Sequence, residues 1–455
     1  MTYILLAALI MMLAIAFVFS KKDIMSPWVI SCGVFTLVTI VAVLNQEEWG
    51  FSLSPVTVAI ILGALLAFGI GELTVSYAFD SLARPSFSRP ALINPDRTSA
   101  SGEKKPIYVP FAIMVILVVF LVAVAIGYTR KMYEISVLGG NPGGYSLMLK
   151  YARDYLLIPG NTIGRMYGHL MIFCKMINYV FMFIFIYNFV FFKFRFYNLI
   201  YLVPMIVQVV IGIMGTGRTF VIEIFASAII MFFIMLKKKN KWNNKETMIF
   251  VVVALGAVLL FFLLFTILGY LTGKTQLREN PMEFISYYTG MSIPSLDAYI
   301  TNPPDKADGL FGQETLYGIH SILRTIGFDI PNATRPLEFV NFNGYNGNVY
   351  TSLRRYINDY GVGGMLAVQY LIGFVYGLLY KYIRYGRFSN FAVIVYSMLA
   401  FPLVMQAIEE NLLSVNISTT FVYSMVYLSI VYFLFVYVPQ RPVKQKRPIR
   451  RRALA

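Results

Sequence analysis

Charged side chains are scarce in this chain of 455 residues: Asp, Glu, Lys and Arg together supply 13% of it, about half the share that covers a soluble globular protein. Hydrophobic residues supply 58%. That leaves too little polar surface to face water on all sides, so a soluble fold is excluded and the chain reads as an all-α polytopic membrane protein. Cysteine is nearly missing. Cys32 and Cys174 both fall inside apolar runs, which excludes a disulfide framework and a cysteine metal site. Two histidines, His169 and His320, are too few for a histidine-rich metal centre. No Gly-rich phosphate loop ending in Lys-Ser or Lys-Thr is present, so neither a resident nucleotide nor a metal or other cofactor is expected. The net charge of +16 is dispersed instead of gathered in a basic domain, which argues against nucleic acid as a partner.

What the chain has in abundance is long apolar runs. A helix needs about 20 mostly apolar residues to cross a ~30 Å hydrocarbon core. Eleven runs qualify: Thr2 to Ser20, Ser26 to Leu44, Pro55 to Phe79, Ile107 to Tyr128, His169 to Phe192, Tyr197 to Gly215, Thr219 to Leu236, Met248 to Leu271, Val362 to Ile383, Asn390 to Ile408 and Val415 to Val438. The first has no positive residue before Lys21 and no small-residue cleavage site after it, and reads as a retained span, not a signal peptide.

Cytoplasmic connections carry the excess of Lys and Arg. Placing the C-terminus inside and alternating the spans puts six segments inside: Lys21 to Met25, the linker 80–106, Lys193 to Phe196, Lys237 to Thr247, Arg384 to Ser389 with Lys381, and the basic tail 439–455. They hold 24 of the 38 basic residues against five acids, and everything else holds 14 bases and 17 acids. The net charge thus divides into +19 inside and −3 elsewhere, which predicts about eleven spans, N-out and C-in, in a single membrane domain over residues 1–455.

Two outside loops are long, 129–168 and 272–361, the latter between spans eight and nine. Loops of that length are usually functional or disordered, and the second is too rich in Tyr, Phe, Ile and Leu for disorder. Within it, Gln313 to Phe328 places Leu316, Ile319, Leu323 and Ile326 on one helical face and Tyr317, His320, Ser321 and Arg324 on the other. This predicts an amphipathic helix at the membrane surface with an imidazole and a guanidinium side by side. Phe342 to Gly361 opens with Asn/Gly turn chemistry, then forms a short helix with a Tyr350, Leu353, Ile357, Tyr360 stripe that closes at Gly361. Arg355 has Asp359 one turn on and is expected to pair with it. Arg354 faces Asn358 instead, which makes it the better candidate for an external anion.

Arg218 follows Gly215-Thr216-Gly217 at an outer turn where a helix begins, so free N–H groups and the positive dipole end add to its guanidinium. In the loop 129–168, Arg153 adjoins Asp154, and Arg165 follows the Pro159-Gly160-Asn161 turn; both read as structural. Glu72, Lys175 and Glu223 lie inside spans but are too scattered to form a relay, while Glu409 and Glu410 close the tenth span. The arginines outside (Arg153, Arg165, Arg218, Arg278, Arg324, Arg335, Arg354) oppose the positive-inside trend. A guanidinium binds phosphate through a bidentate fork, so a lipid-linked pyrophosphate at the outer leaflet is a ligand that such groups suit. Neutralising its charge as a leaving group contributes ~3–4 kcal/mol per well-placed donor. No Asp-x-Asp pair stands in an outer loop, and metal-independent chemistry is expected.

The layout, the Thr216-Gly217-Arg218-Thr219 turn, and Asn348-x-Tyr350-Thr351 followed by Asp359-Tyr360-Gly361-x-x-Gly364 resemble the O-antigen polymerase, or oligosaccharide repeat-unit polymerase (Wzy), family. The likeness covers the whole chain in layout and about a dozen residues in motif. It implies a bacterial cytoplasmic membrane enzyme that transfers a growing polysaccharide from undecaprenyl pyrophosphate to a new lipid-linked repeat unit on the outer face. Implied partners are these lipid-linked oligosaccharides, the bilayer and a polysaccharide chain-length regulator. Carried over, the family's essential arginines fall on Arg218 and Arg354, and then Arg153. Arg278, Arg324, Arg355, Asn348 and Tyr350 are the further substrate-binding candidates. His320 is the candidate base, its ordinary pKa of about 6.5 suiting proton transfer at neutral pH, with Glu409, Glu410 and Asp359 as competitors. A lipid-linked oligosaccharide flippase and an O-antigen ligase are the alternative expectations.

Overall fold

A computed structural model describes residues 1–82, 105–145, 147–158, 160–215, 218–243, 281–304, 311–330, 337–386 and 389–440, together with 249, 252 and 256. Among them, nine helices are long and apolar enough to cross a membrane, which makes the chain a multi-pass membrane protein. The helices are α1 (Thr2–Phe19), α2 (Pro27–Leu44), α3 (Gln46–Trp49), α4 (Pro55–Leu82), α5 (Phe111–Leu138), α6 (Met148–Leu156), α7 (Arg165–Phe191) and α8 (Val203–Met214), the last entered through a 3₁₀ turn at Phe196–Leu202. They continue with α9 (Arg218–Lys239), α10 (Pro281–Gly290), α11 (Ser292–Thr301) and α12 (Tyr317–Thr325). A hairpin of β1 (Val340–Phe342) and β2 (Tyr345–Gly347) then leads to α13 (Ser352–Tyr385), α14 (Ser389–Met405), α15 (Leu413–Asn416) and α16 (Thr419–Tyr432).

The expected runs meet these helices closely, with three differences. The eighth, Met248 to Leu271, lies outside the described residues. The tenth is a shorter apolar helix, α14. The fourth starts later and runs ten residues beyond Tyr128, to Leu138, so the first long loop begins at Gly139. Helix α13 joins two expected elements: Gly361 breaks it at φ 71°, ψ 179°, a conformation essentially confined to glycine. The short helix Ser352–Tyr360 and the ninth span therefore meet at a kink, where the sequence placed a helix end.

Helices α4 and α13 form the most intimate pair in the bundle, and glycine is the reason. A Cβ on Gly71 would collide with the Tyr370 carbonyl and one on Gly373 with the Phe68 carbonyl, and one on Gly377 would press tightly on Glu72. Gly373 and Gly377 are four residues apart, the small-xxx-small spacing that lets membrane helices touch backbone to backbone. On another face of α4, Gly69 admits the indole of Trp28 from α2. Close packing between spans matters because apolar side chains gain little by leaving lipid for protein.

Buried acids start the helices. Glu72 of α4 accepts from Ser26 Oγ at 2.8 Å and from the Trp28 amide at 2.7 Å, so this carboxylate within a span satisfies the free N-terminus of α2. Asp297 of α11 does the same for α4, accepting from the Ser54 amide at 2.8 Å and Thr57 Oγ1 at 2.6 Å. Glu410 takes the amides of Leu412, Leu413 and Ser414. It caps α15 and is 4% exposed.

The close approach of α4 and α13 gives a direct stability test. Gly373→Leu forces the helices apart and is expected to cost about 1–3 kcal/mol, read as a lowered thermal midpoint of the purified protein. Gly33→Ala in α2, where nothing lies within 4 Å of an added Cβ, should leave the midpoint unchanged or raise it. Equal midpoints for the two variants would sink the glycine-contact account.

Candidate functional site

The segment Ser352–Tyr360 is enclosed on nearly every side: Ser352, Leu353, Arg354, Arg355 and Tyr356 are all buried. A guanidinium there must find protein partners, since a buried unpaired charge is very costly. Arg354 finds two. Its Nε and Nη2 donate to the carboxylate of Glu338 at 3.2 and 2.7 Å, and its Nη1 donates to both oxygens of Glu314. Its planar cation lies 4.7 Å from the ring centroid of Tyr299 and 5.8 Å from that of Tyr350, within cation–π range.

Glu314 is shared. It also accepts from Arg355 Nη1 at 3.1 Å and Asn358 Nδ2 at 3.0 Å, and Asn358 accepts in turn from the Tyr299 hydroxyl at 3.1 Å. The expected Arg355–Asp359 pair is therefore replaced. Asp359 instead accepts from the amides of Glu314 and Thr315 and from Thr315 Oγ1, fixing the turn that precedes α12. Backbone amides outcompete a helix-surface pair here because Thr315 is buried and its amide needs an acceptor inside the protein. Tyr350 donates to the Glu338 carbonyl at 3.2 Å. Burial first, and then the Glu338 carboxylate, push its phenol above the ordinary range, so it stays protonated and keeps that bond at neutral pH.

This cluster lies at one end of α13 and a group of lysines at the other. Helix α13 carries Arg354 near its start and Lys381 and Arg384 near its end, roughly 40 Å apart at 1.5 Å per residue. Around that far end Lys237 pairs with Asp23, Tyr380 donates to Asp23 at 2.8 Å, and Lys21 pairs with Asp80 at 2.7 Å.

The other expected site residues divide. The hairpin forms at Asn343-Gly344, both at positive φ, as two-residue Asn-Gly turns do; Asn348 is half-buried just after it. Helix α12 exposes Ile319, Ile322 and Ile326 and turns His320 inward, 8% exposed, with Nδ1 lacking a partner among the described residues. His320 is thus not on a solvated face, and Arg324 stacks over Tyr317 at 5.9 Å. Gly318 packs against the backbone of Ile417 and Ser418, which seats α12 beside the start of α16. Arg153 pairs with Asp154 at 3.0 Å, as expected. Helix α9 begins at Arg218, but the side chain of Arg218 lies outside the described residues, as do Arg278 and Arg335.

Two intramembrane charges expected to be scattered are joined. Lys175 of α7 pairs with Glu223 of α9 at 2.8 Å, and Tyr179 donates to the same carboxylate at 2.9 Å. Glu314, Glu338 and Tyr299 were not singled out from sequence. The one available signal was the net −3 over the spans and the loops expected outside, where acids outnumber bases.

No family model, curated protein or solved structure matches the chain.

The ion network gives a graded prediction. Arg354→Ala removes the buried cation that joins Glu314 to Glu338 and should cost about 3–5 kcal/mol, whereas Arg153→Ala, at a more exposed pair between sequence neighbours, should cost under about 1 kcal/mol. Thermal or denaturant unfolding of the purified variants checks this; similar losses would mean that Arg354 is not a hub.

Proposed function

We propose that the protein is a metal-independent membrane glycosyltransferase that polymerises undecaprenyl-pyrophosphate-linked oligosaccharide repeat units. It acts on the outer face of the bacterial cytoplasmic membrane, with eleven spans, N-out and C-in. The observation that carries this reading is the pair of guanidinium groups, Arg354 and Arg355, gathered on one carboxylate at the end of α13 away from Lys381 and Arg384. Positive-inside bias makes that end the outer one, and two adjacent guanidinium groups with flanking Tyr299 and Tyr350 suit a diphosphate that carries sugars. The donor's diphosphate would sit on these groups, which neutralise the charge that develops as the glycosidic bond to phosphate breaks. A base takes the proton of the attacking acceptor hydroxyl. His320, whose buried Nδ1 has no partner among the described residues, and Glu338, which borders the arginines, are the groups proposed for that step.

A second reading is favoured by the Lys175–Glu223 pair. Ionisable groups inside a membrane mark translocation paths in many proteins, and a lipid-linked oligosaccharide flippase would use them. The two readings separate cleanly. Protein in nanodiscs, given lipid-linked repeat units and no nucleotide sugar, is expected to lengthen them into a ladder of polymers. Arg354→Lys, which keeps the charge and loses the fork, should reduce the rate at least tenfold, while Lys175→Gln/Glu223→Gln should retain it. Transbilayer movement without lengthening, abolished by the double variant, would favour the flippase.

A further inference from the structure

Arg354 already holds two carboxylates, which limits any anion that it binds. A guanidinium has five N–H donors. In Arg354 the Nε donor and one Nη2 donor hold Glu338, and the Nη1 group holds Glu314. A diphosphate therefore cannot gain a bidentate seat on Arg354 unless a carboxylate leaves. The two carboxylates are not equivalent. Glu314 is bound by Arg354, Arg355 and Asn358, its backbone amide is held by Asp359, and its side chain is 13% exposed. Glu338 has Arg354 as its one ion-pair partner among the described residues, and its side chain is 32% exposed.

We propose that Glu338 is a displaceable ligand of Arg354, and that the diphosphate of a lipid-linked donor takes its place while Glu314 stays as the fixed carboxylate that aligns both guanidinium groups. This rests on the glycosyltransferase reading above and adds the order in which the site is filled. Tyr299 and Tyr350, on which the Arg354 cation rests, keep the guanidinium plane in position during the exchange, because a stacked cation does not need its carboxylate to define its orientation. Arg354 and Arg355 balance Glu314 and Glu338 in the resting cluster, so the cluster is neutral and attracts no anion from a distance. Selectivity then comes from the exchange itself: a ligand must supply two oxygens at fork spacing to compensate Arg354 for the one it loses. An ordinary phosphate diester that reaches a single donor does not.

The test is the affinity of undecaprenyl pyrophosphate for the full-length protein in nanodiscs, measured alongside thermal midpoints. Glu338→Gln removes the charge that competes for Arg354 and should bind the lipid about tenfold more tightly than the native protein. Glu338→Asp, which shortens the reach and keeps the charge, should move in the same direction by less. Glu314→Gln should bind more weakly, since it frees neither guanidinium for a fork and loosens both. Native affinity or weaker in Glu338→Gln, with binding by the native protein lost in Arg354→Gln, would overturn the exchange and leave the glycosyltransferase reading standing. Equal binding by the native protein and Arg354→Gln would overturn both.

Discussion

A guanidinium with 5% of its side-chain surface exposed organises one end of this molecule. Arg354 sits where three stretches of chain meet: the turn before α12 that supplies Glu314, the segment before the hairpin that supplies Glu338, and the first turns of α13. Aromatic faces from Tyr299 and Tyr350 close over it. Burying that charge is tolerable because two carboxylates and two aromatic faces compensate it. The loop is thereby shaped by an ion network where a soluble domain would use an apolar core.

The same economy of charge appears throughout the bundle. With few acids to spend, the chain places Glu72, Asp297, Asp359 and Glu410 at chain turns and helix starts, where free amides need an acceptor. Each of these carboxylates ties one element to another: α4 to α2, α11 to α4, the α13 segment to the turn before α12. Glycines finish the job by letting α4 and α13 touch. The Lys175–Glu223 pair is the exception, an interhelical contact that starts no helix.

Much of this architecture was legible beforehand. Apolar runs marked the spans because lipid tolerates little else over 20 residues, and Gly361 marked the end of a short helix because only glycine adopts its backbone angles. Asn343-Gly344 announced its turn. The site was harder. Arg354 was singled out for lacking an acid one turn on, yet its acids come from 16 and 40 residues away, and i,i+4 reasoning cannot see such distances. Arg355 was given to Asp359 for the same reason. His320 was placed on a solvated face because its neighbours are polar, but α12 turns its isoleucines outward and its imidazole in, as a helix beside lipid would. The Gly373-xxx-Gly377 spacing was readable and decides the central helix contact.

The proposed function rests on two arginines gathered on one carboxylate with tyrosine rings beside them. The most direct measurement is a cryo-EM structure of the protein in a nanodisc with undecaprenyl pyrophosphate bound. The account predicts diphosphate oxygens within about 3 Å of the Arg354 and Arg355 nitrogens. Diphosphate density at the Lys175–Glu223 pair or elsewhere, with the Arg354 network unaltered, would contradict it.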